Sequence, residues 1–291
     1  MKKQIIVGKS TGFCFGVTKA VETAKRILEK RKTLTSLGDL VHNPLVMSEL
    51  KNKGLRVIQK ISDAKGKPFI IRSHGLPPDV LRELKSFTHE IYDATCPFVR
   101  KVQNLVKHLS EENYFIFLVG DPEHPEIRAM EKIAGVNCAI VKPGQVRNTI
   151  PDKNKWAIIA QTTISLDLYK AAISRILKNI PSEKVTVFNT ICPVSIRRQE
   201  EALKLASQVD ALIVVGGKKS SNTGKLVHTG KKVNKNTFLI EMPEELKKLN
   251  LAKFEKIGII SGASTDVSCI RNVVRILKAI QRKKIQGGKT I

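Results

Sequence analysis

Cys96-Pro97-Phe98-Val99-Arg100-Lys101-Val102-Gln103-Asn104-Leu105-Val106-Lys107-His108-Leu109, followed after a short polar stretch by Phe115-Ile116-Phe117-Leu118-Val119-Gly120, decides how this chain folds. Val99, Val102, Leu105, Val106 and Leu109 recur three and four positions apart, which gathers them on one face of a helix. Pro97 suits the first turn of that helix, where a missing N–H costs nothing. The apolar run Phe115 to Val119, closed by Gly120, reads as a buried strand. Cys96 therefore stands where a strand gives way to a helix.

The same unit occurs three times. Cys14 precedes the apolar series Val17, Ala20, Val21, Ala24, Ile27 and Leu28, then Gly38; Cys192 precedes a helix carrying Leu203 and Ala206, the strand Ala211 to Val215, then Gly216. In each unit, as from Cys96 to Gly120, the glycine stands 24 positions after the cysteine. Four residues beyond the glycines stand His42, His124 and Ser220. A second strand then runs into another polar loop: Ile70-Ile71-Arg72-Ser73-His74-Gly75, Ile158-Ile159-Ala160-Gln161-Thr162-Thr163 and Ile259-Ile260-Ser261-Gly262-Ala263-Ser264. Helical patterns follow, for example Val80 to Leu84 and Leu168 to Leu177.

Alternating strands and helices call for an α/β fold with mainly parallel sheets covered by helices. We expect three related α/β lobes around a pseudo-threefold axis: 14–95, 96–188, and 189–281 together with 1–13, with a basic tail at 282–291. Ligands bind such sheets beyond the carboxyl ends of the strands, where the three cysteines and all six polar loops fall. A shared central active site is the expectation. Packing alone accounts for similar loops but does not ask for His, Thr, Ser and Asn at strand ends.

At 291 residues the chain can bury a sizeable core, and 42% hydrophobic content fits an ordinary globular protein. Met1-Lys2-Lys3 and Ile5-Ile6-Val7 open like an export signal, but Gly8-Lys9-Ser10 ends the apolar run too early. A soluble, cytoplasmic protein without a membrane partner is expected. The net charge of +25 would attract polyanions. Lys and Arg are nevertheless spread along the whole chain, and 5% aromatic content supplies little material for stacking bases, so specific nucleic-acid binding is not expected. The charge reads as solvated surface.

Five cysteines in such a chain do not suggest a disulfide framework. A lone intracellular cysteine is most often a small buried apolar residue. Three at equivalent positions can instead bind zinc, a cluster or nothing. Structural zinc asks for four ligands, usually with a C-x-x-C pair, which is absent. Catalytic zinc with three cysteines is unusual. An iron–sulfur cluster on three cysteines leaves one iron without a protein ligand, open to substrate as a Lewis acid and electron source. Helix N-termini favour the negative charge of such a group. Cys138 and Cys269 have no counterparts in the repeat and are assigned to the core.

Imidazoles, hydroxyls and an amide suit a phosphate, whose oxygens accept from all of them. Alone, each histidine would be structural and Ser220-Ser221-Asn222 a turn. Glu126 is the one carboxylate placed at the centre; burial and nearby negative charge would raise its pKa into the range of a proton donor, whereas in isolation it would be a solvated loop residue.

The ordered set Gly12-Phe13-Cys14-Phe15-Gly16-Val17, Val41-His42-Asn43-Pro44, Ser73-His74-Gly75, Asp93-Ala94-Thr95-Cys96-Pro97, His124-Pro125-Glu126, Gln161-Thr162-Thr163, Asn189-Thr190-Ile191-Cys192, Arg198-Gln199-Glu200, Ser220-Ser221-Asn222 and Gly262-Ala263-Ser264 resembles the 4-hydroxy-3-methylbut-2-enyl diphosphate reductase family of the methylerythritol phosphate route to isoprenoids. Each motif alone is weak; the set in order is specific. The resemblance implies one [4Fe-4S] cluster on Cys14, Cys96 and Cys192, its remaining iron lacking a protein ligand and meeting the substrate hydroxyl. Two electrons and two protons would remove that hydroxyl as water, giving isopentenyl and dimethylallyl diphosphate. It further implies proton supply by Glu126 with Thr162 beside the hydroxyl, and a diphosphate site of His42, His74, His124, Ser220, Ser221, Asn222 and Ser264 with Thr163 and Ser195 nearby. Electrons would come from a ferredoxin or flavodoxin, an acidic donor suiting a basic surface. Ser195 stands where the family pattern has Thr, and Asp266 where it has Pro. The rival readings are a nucleic-acid-binding protein and a different iron–sulfur lyase acting on a phosphorylated metabolite.

Overall fold

The computed structural model describes residues 4–142, 154–178 and 180–287, the side chains of 281–287 excepted. In chain order, β1 (Gln4–Val7) leads to Cys14 and α1 (Phe15–Arg31), then β2 (Leu34–Leu37), α2 (Pro44–Asn52), β3 (Leu55–Ile58), β4 (Phe69–Ile71), α3 (Pro78–Phe87) and β5 (Ile91–Asp93). Cys96 opens α4 (Pro97–Glu111), followed by β6 (Phe115–Val119), α5 (Pro125–Ala134), β7 (Cys138–Val141), β8 (Trp156–Ala160), α6 (Leu166–Leu177) and β9 (Val185–Phe188). Cys192 opens α7 (Pro193–Gln208), then come β10 (Ala211–Val215), α8 (Ser221–Lys231), β11 (Thr237–Ile240), β12 (Lys256–Ser261) and α9 (Val267–Gly287).

The strands form three four-stranded sheets, ordered β3-β2-β4-β5, β7-β6-β8-β9 and β11-β10-β12-β1, with every neighbouring pair parallel. This is the α/β repeat in topology: β1, β5 and β9 occupy the same edge of their sheets, and each runs into a cysteine and the next helix. The central strands β6, β8 and β10 are buried at every residue, as sheets covered on both faces require. The edge strands β3, β7 and β11 were not anticipated from sequence; they are four residues long and only partly buried.

The chain divides into two compact units, one of Met1–Cys14, His42–Met47 and Ile196–Ile291, the other of Phe15–Val41 and Ser48–Ser195. The first contains the sheet with β1 and β10 to β12. Its core packs Ile213, Val215, Ile257 and Ile259 against Cys269, Ile270 and Val273 of α9. The second contains the other two sheets, with Ile116, Leu118 and Ile159 packed against Val102, Val106, Ile127 and Met130 in one. Cys269 is buried, but Cys138 is only partly so, at the margin of its core where β7 begins.

Asp266 caps α9, accepting from Ser268 N at 2.7 Å. A carboxylate at this site satisfies a free helix N–H and opposes the helix dipole. Of the tail, 282–287 continue α9 and 288–291 lie outside the described residues. No described helix is long and apolar enough to cross a membrane.

Candidate active site

Each cysteine is fixed by the same backbone contact. Cys14 N donates to Ala263 O at 3.0 Å, Cys96 N to Ser73 O at 3.0 Å and Cys192 N to Thr162 O at 2.9 Å. Each acceptor lies in the polar loop after the second inner strand. The pairings Val119↔Ala160, Val215↔Ser261 and Thr35↔Phe69 set the register of these loops. They equate Ser73 with Thr162 and Ala263, and His74 with Thr163 and Ser264, one residue away from the alignment suggested by the paired isoleucines.

In the larger unit the site is built around Glu126. Gly120 ends β6, and His124 caps α5 by accepting from Glu126 N at its Nδ1, 3.3 Å away. That bond leaves the proton of a neutral His124 on Nε2. Glu126 is 1% exposed. Thr162 N donates to its Oε1 and Thr162 Oγ1 to its Oε2, both at 2.8 Å. Burial raises the carboxyl to about 7 against the lowering effect of the two Thr162 bonds. Thr162 thus joins the carboxyl through its own side chain to Cys192 through its carbonyl.

Around this pair, Gln161 donates to Thr163 Oγ1 at 2.8 Å and accepts from Asp121 N at 3.0 Å, tying the two polar loops together. The His74 and His124 rings meet edge to face at 5.2 Å. Ser195 is buried in the first turn of α7. Gly16 lies directly over Cys96: a Cβ there would come within 2.7 Å of the Cys96 sulfur.

The smaller unit holds Cys14, His42, Ser220, Ser221, Asn222 and Ser264. Ser220 caps α8 through its Oγ, which accepts from Thr223 N at 3.3 Å. Ser221 and Asn222 follow in the first turn, and the buried Nδ2 of Asn222 has no hydrogen-bond partner among the described residues. Ser264 Oγ donates to His42 O at 3.1 Å. That carbonyl passes so close to Gly217 that a Cβ there would stand 2.2 Å from it. Asn43 caps α2, its Oδ1 accepting from Leu45 N and Val46 N.

Sequence reasoning missed how the Cys14 loop is held. Buried Arg198 donates to Gly12 O at 2.7 Å and to Ser261 O at 2.8 Å. Glu201 accepts from Lys9 N and from Ser10 N, the latter at 2.7 Å, and Gly12 N donates to Ser261 Oγ at 3.0 Å. Arg198 was visible in a motif, but nothing local separates it from a solvated helix cation.

Among the described residues, no three His, Cys, Asp or Glu side chains are placed to hold one metal ion. A cluster asks for something else, since each thiolate binds a different iron. The backbone of Gly16 approaches the Cys96 sulfur where a side chain would collide with it, and the buried Asn222 Nδ2, without a hydrogen-bond partner among the described residues, is a donor that an anion can take.

The model of the LytB protein family matches residues 5–278. A 4-hydroxy-3-methylbut-2-enyl diphosphate reductase of Alkaliphilus oremlandii is 40% identical over 274 residues, covering 93% of this chain and 98% of that protein. The reductase of the same name from Thermotoga maritima is 39% identical, covering 97% and 98%. Among solved structures, the E-1-hydroxy-2-methyl-but-2-enyl-4-diphosphate reductase from Plasmodium falciparum superposes with a TM-score of 0.88 at 29% identity, covering 95% of this chain and 88% of that one. A second, described as the terminal enzyme of the non-mevalonate pathway, gives a TM-score of 0.70 at 35% identity, covering 95% and 99%.

Proposed function

The chain belongs to the LytB family, and from that membership and the buried Glu126–Thr162 pair we propose that it reduces 4-hydroxy-3-methylbut-2-enyl diphosphate to isopentenyl and dimethylallyl diphosphate. The substrate takes up two electrons and two protons and loses its hydroxyl as water. Cys14, Cys96 and Cys192 would hold one [4Fe-4S] cluster, with the lobes 14–95, 96–188 and 189–281 plus 1–13 each bringing one thiol. When bound, the cluster supplies electrons and, at an iron without a protein ligand, a Lewis acid for the departing hydroxyl.

The observation that carries this reading is the buried Glu126 carboxyl hydrogen-bonded to the Thr162 hydroxyl, in a residue whose backbone carbonyl receives the Cys192 amide; burial pushes that carboxyl up to about 7. Such a group is poised to give and regain a proton near neutral pH. Protonated Glu126 donates to Thr162 Oγ1, which turns the threonine hydroxyl hydrogen outward toward substrate; ionised Glu126 draws it back. His42, His74, His124, Ser220, Ser221, Asn222 and Ser264 would receive the diphosphate, with Thr163 and Ser195 beside it. A ferredoxin or flavodoxin would supply electrons in the cytoplasm.

Anaerobic purification with iron and sulfide analysis should find about four of each per chain. Addition of the hydroxylated diphosphate and a chemical electron donor should then yield both products. A chain that remains iron-free after reconstitution overturns the reading.

A further inference from the structure

The three cysteines are reached by unequal lengths of chain. Only 94–95 lie between β5 and Cys96, and only 189–191 between β9 and Cys192, whereas 8–13, six residues, separate β1 from Cys14. The short connections hold themselves. Asp93, three places before Cys96, accepts from Thr95 N at 2.8 Å, and Asn189, three places before Cys192, accepts from Ile191 N at 3.3 Å. Each is a local turn in which a side-chain oxygen bonds the backbone two residues on. Thr11 stands at that place before Cys14, and a turn of that size would leave 8–10 unheld.

The long connection is held from outside, by one turn of α7. Arg198 is 3% exposed, and its Nη2 donates to Gly12 O at 2.7 Å while its Nη1 donates to Ser261 O at 2.8 Å and Gly262 O at 3.3 Å. Three positions on, Glu201 accepts from Lys9 N and, at 2.7 Å, from Ser10 N. Gly8 permits that approach, since a Cβ there would stand 3.2 Å from Glu201 Oε1. Ala263, next after Gly262, is the residue whose carbonyl receives Cys14 N at 3.0 Å. The guanidinium therefore grips the cysteine loop and the loop it bonds to at once, and all of these residues belong to the smaller unit. A planar fork can bridge two backbone segments in this way, whereas an ammonium is a single point of charge.

We propose that Arg198 is a positioning residue for Cys14, with Glu201 completing the clamp. Together they do for the long connection what the Asp93 and Asn189 turns do for the short ones, and they set the Cys14 thiol in place before any cluster is bound. The proposal rests on the redox reading above, in which Cys14 is a ligand, and adds to it what presents that ligand. A guanidinium buried among carbonyls is costly to place unless its geometry is used, and here it fixes the one cysteine that has no sufficient turn of its own.

Hydrogen exchange of the full-length chain before cluster loading tests the clamp directly. In Arg198→Lys, peptides covering 8–14 should exchange roughly tenfold faster than in the parent, while those covering Cys96 keep the parent rate. Arg198→Met should be faster still, because lysine can reach one of the carbonyls and methionine none. Glu201→Ala, at a partly buried helix position that suits alanine, should speed the same peptides with Arg198 in place. Alkylation of the unloaded chain should show Cys14 labelled roughly tenfold faster relative to Cys96 in the Arg198 variants. After loading, a chelator should strip iron faster from those variants than from the parent. Parent-like exchange over 8–14 in Glu201→Ala and in either Arg198 variant overturns the clamp and leaves the redox reading standing. Equal acceleration of the Cys14 and Cys96 segments assigns Arg198 to general stability and also overturns it, as does full protection in Arg198→Lys. A parent that stays iron-free after reconstitution overturns the redox reading, and with it the ligand being positioned.

Discussion

Glu126 and Asn222 stand at the same place in two repeats, in His124-Pro125-Glu126 and Ser220-Ser221-Asn222, and both are buried in the first turn of a helix capped two residues before. They differ in what faces them. Glu126 takes an N–H and a hydroxyl from Thr162, and burial lifts its carboxyl to about 7. The residue equivalent to Thr162 in the other repeat is Ala263, which has no hydroxyl, and the Asn222 Nδ2 is left without a partner among the described residues. One scaffold has thus been turned to two ends. The larger unit holds a buried carboxyl paired with a threonine hydroxyl, and the smaller a neutral amide donor at a helix N-terminus, a chemistry that suits an anion.

The sharpest way to break this contrast is Glu126→Gln. The amide keeps the size and can still accept from Thr162 N, so iron content and substrate affinity should hold while turnover falls by about 10²–10⁴. Single-turnover rates with a chemical electron donor measure it, and an unaffected rate removes Glu126 from the proton path.

The same substitution tests the cause of the pKa. With a carboxyl near 7 in the fold and the ordinary 4.5 when unfolded, the group is protonated in both states below pH 4.5 and contributes nothing there. From pH 4.5 to 7 the unfolded chain ionises first, so the parent loses stability, by about 3 kcal/mol once above 7. Glu126→Gln lacks this loss. Relative to the parent's, its urea midpoint should rise by more at pH 8 than at pH 5.

Asn222→Ala is the complementary change. Loss of a hydrogen bond to a charged group, worth about 1.5–3 kcal/mol, should raise KM for the diphosphate by roughly tenfold or more. Turnover at saturation should change little, because the amide gives no proton to the substrate in this reading. A collapse of kcat at constant KM would merge the two roles that the comparison separates.

Much of this was legible because the repeat is marked by residues with strong local meaning. A cysteine before Pro97 or Pro193, an amphipathic series and a β-rich run closed by glycine fix strand ends and helix starts, and Phe115–Val119 and Ala211–Val215 are the strands observed. Phase inside an apolar run is not marked in that way, since Ile70-Ile71 and Ile158-Ile159 look alike whichever residue pairs. Only the ladder sets Ser73, Thr162 and Ala263 in register. Long-range clamps carry even less signal: Arg198 reaches Gly12 across 186 positions of sequence. Edge strands such as Thr237–Ile240, buried only at their ends, have neither a continuous apolar run nor a clean alternation to announce them.

The two cysteines outside the repeat give the smallest expected effect and a control on all the rest. Cys269 is buried in the α9 core, where desolvation lifts its thiol to about 11 and makes it a poor nucleophile. Cys138 is partly exposed, with its sulfur 3.4 Å from Gly135 O. Cys138→Ala should therefore leave iron content unchanged and cost less than about 1 kcal/mol of stability. Alkylation of the folded, cluster-loaded protein at pH 8 should label Cys138 first and Cys269 last. Loss of iron in Cys138→Ala would show that the repeat selects the wrong thiols, and the division of labour between Glu126 and Asn222, which rests on the same alignment, would fall with it.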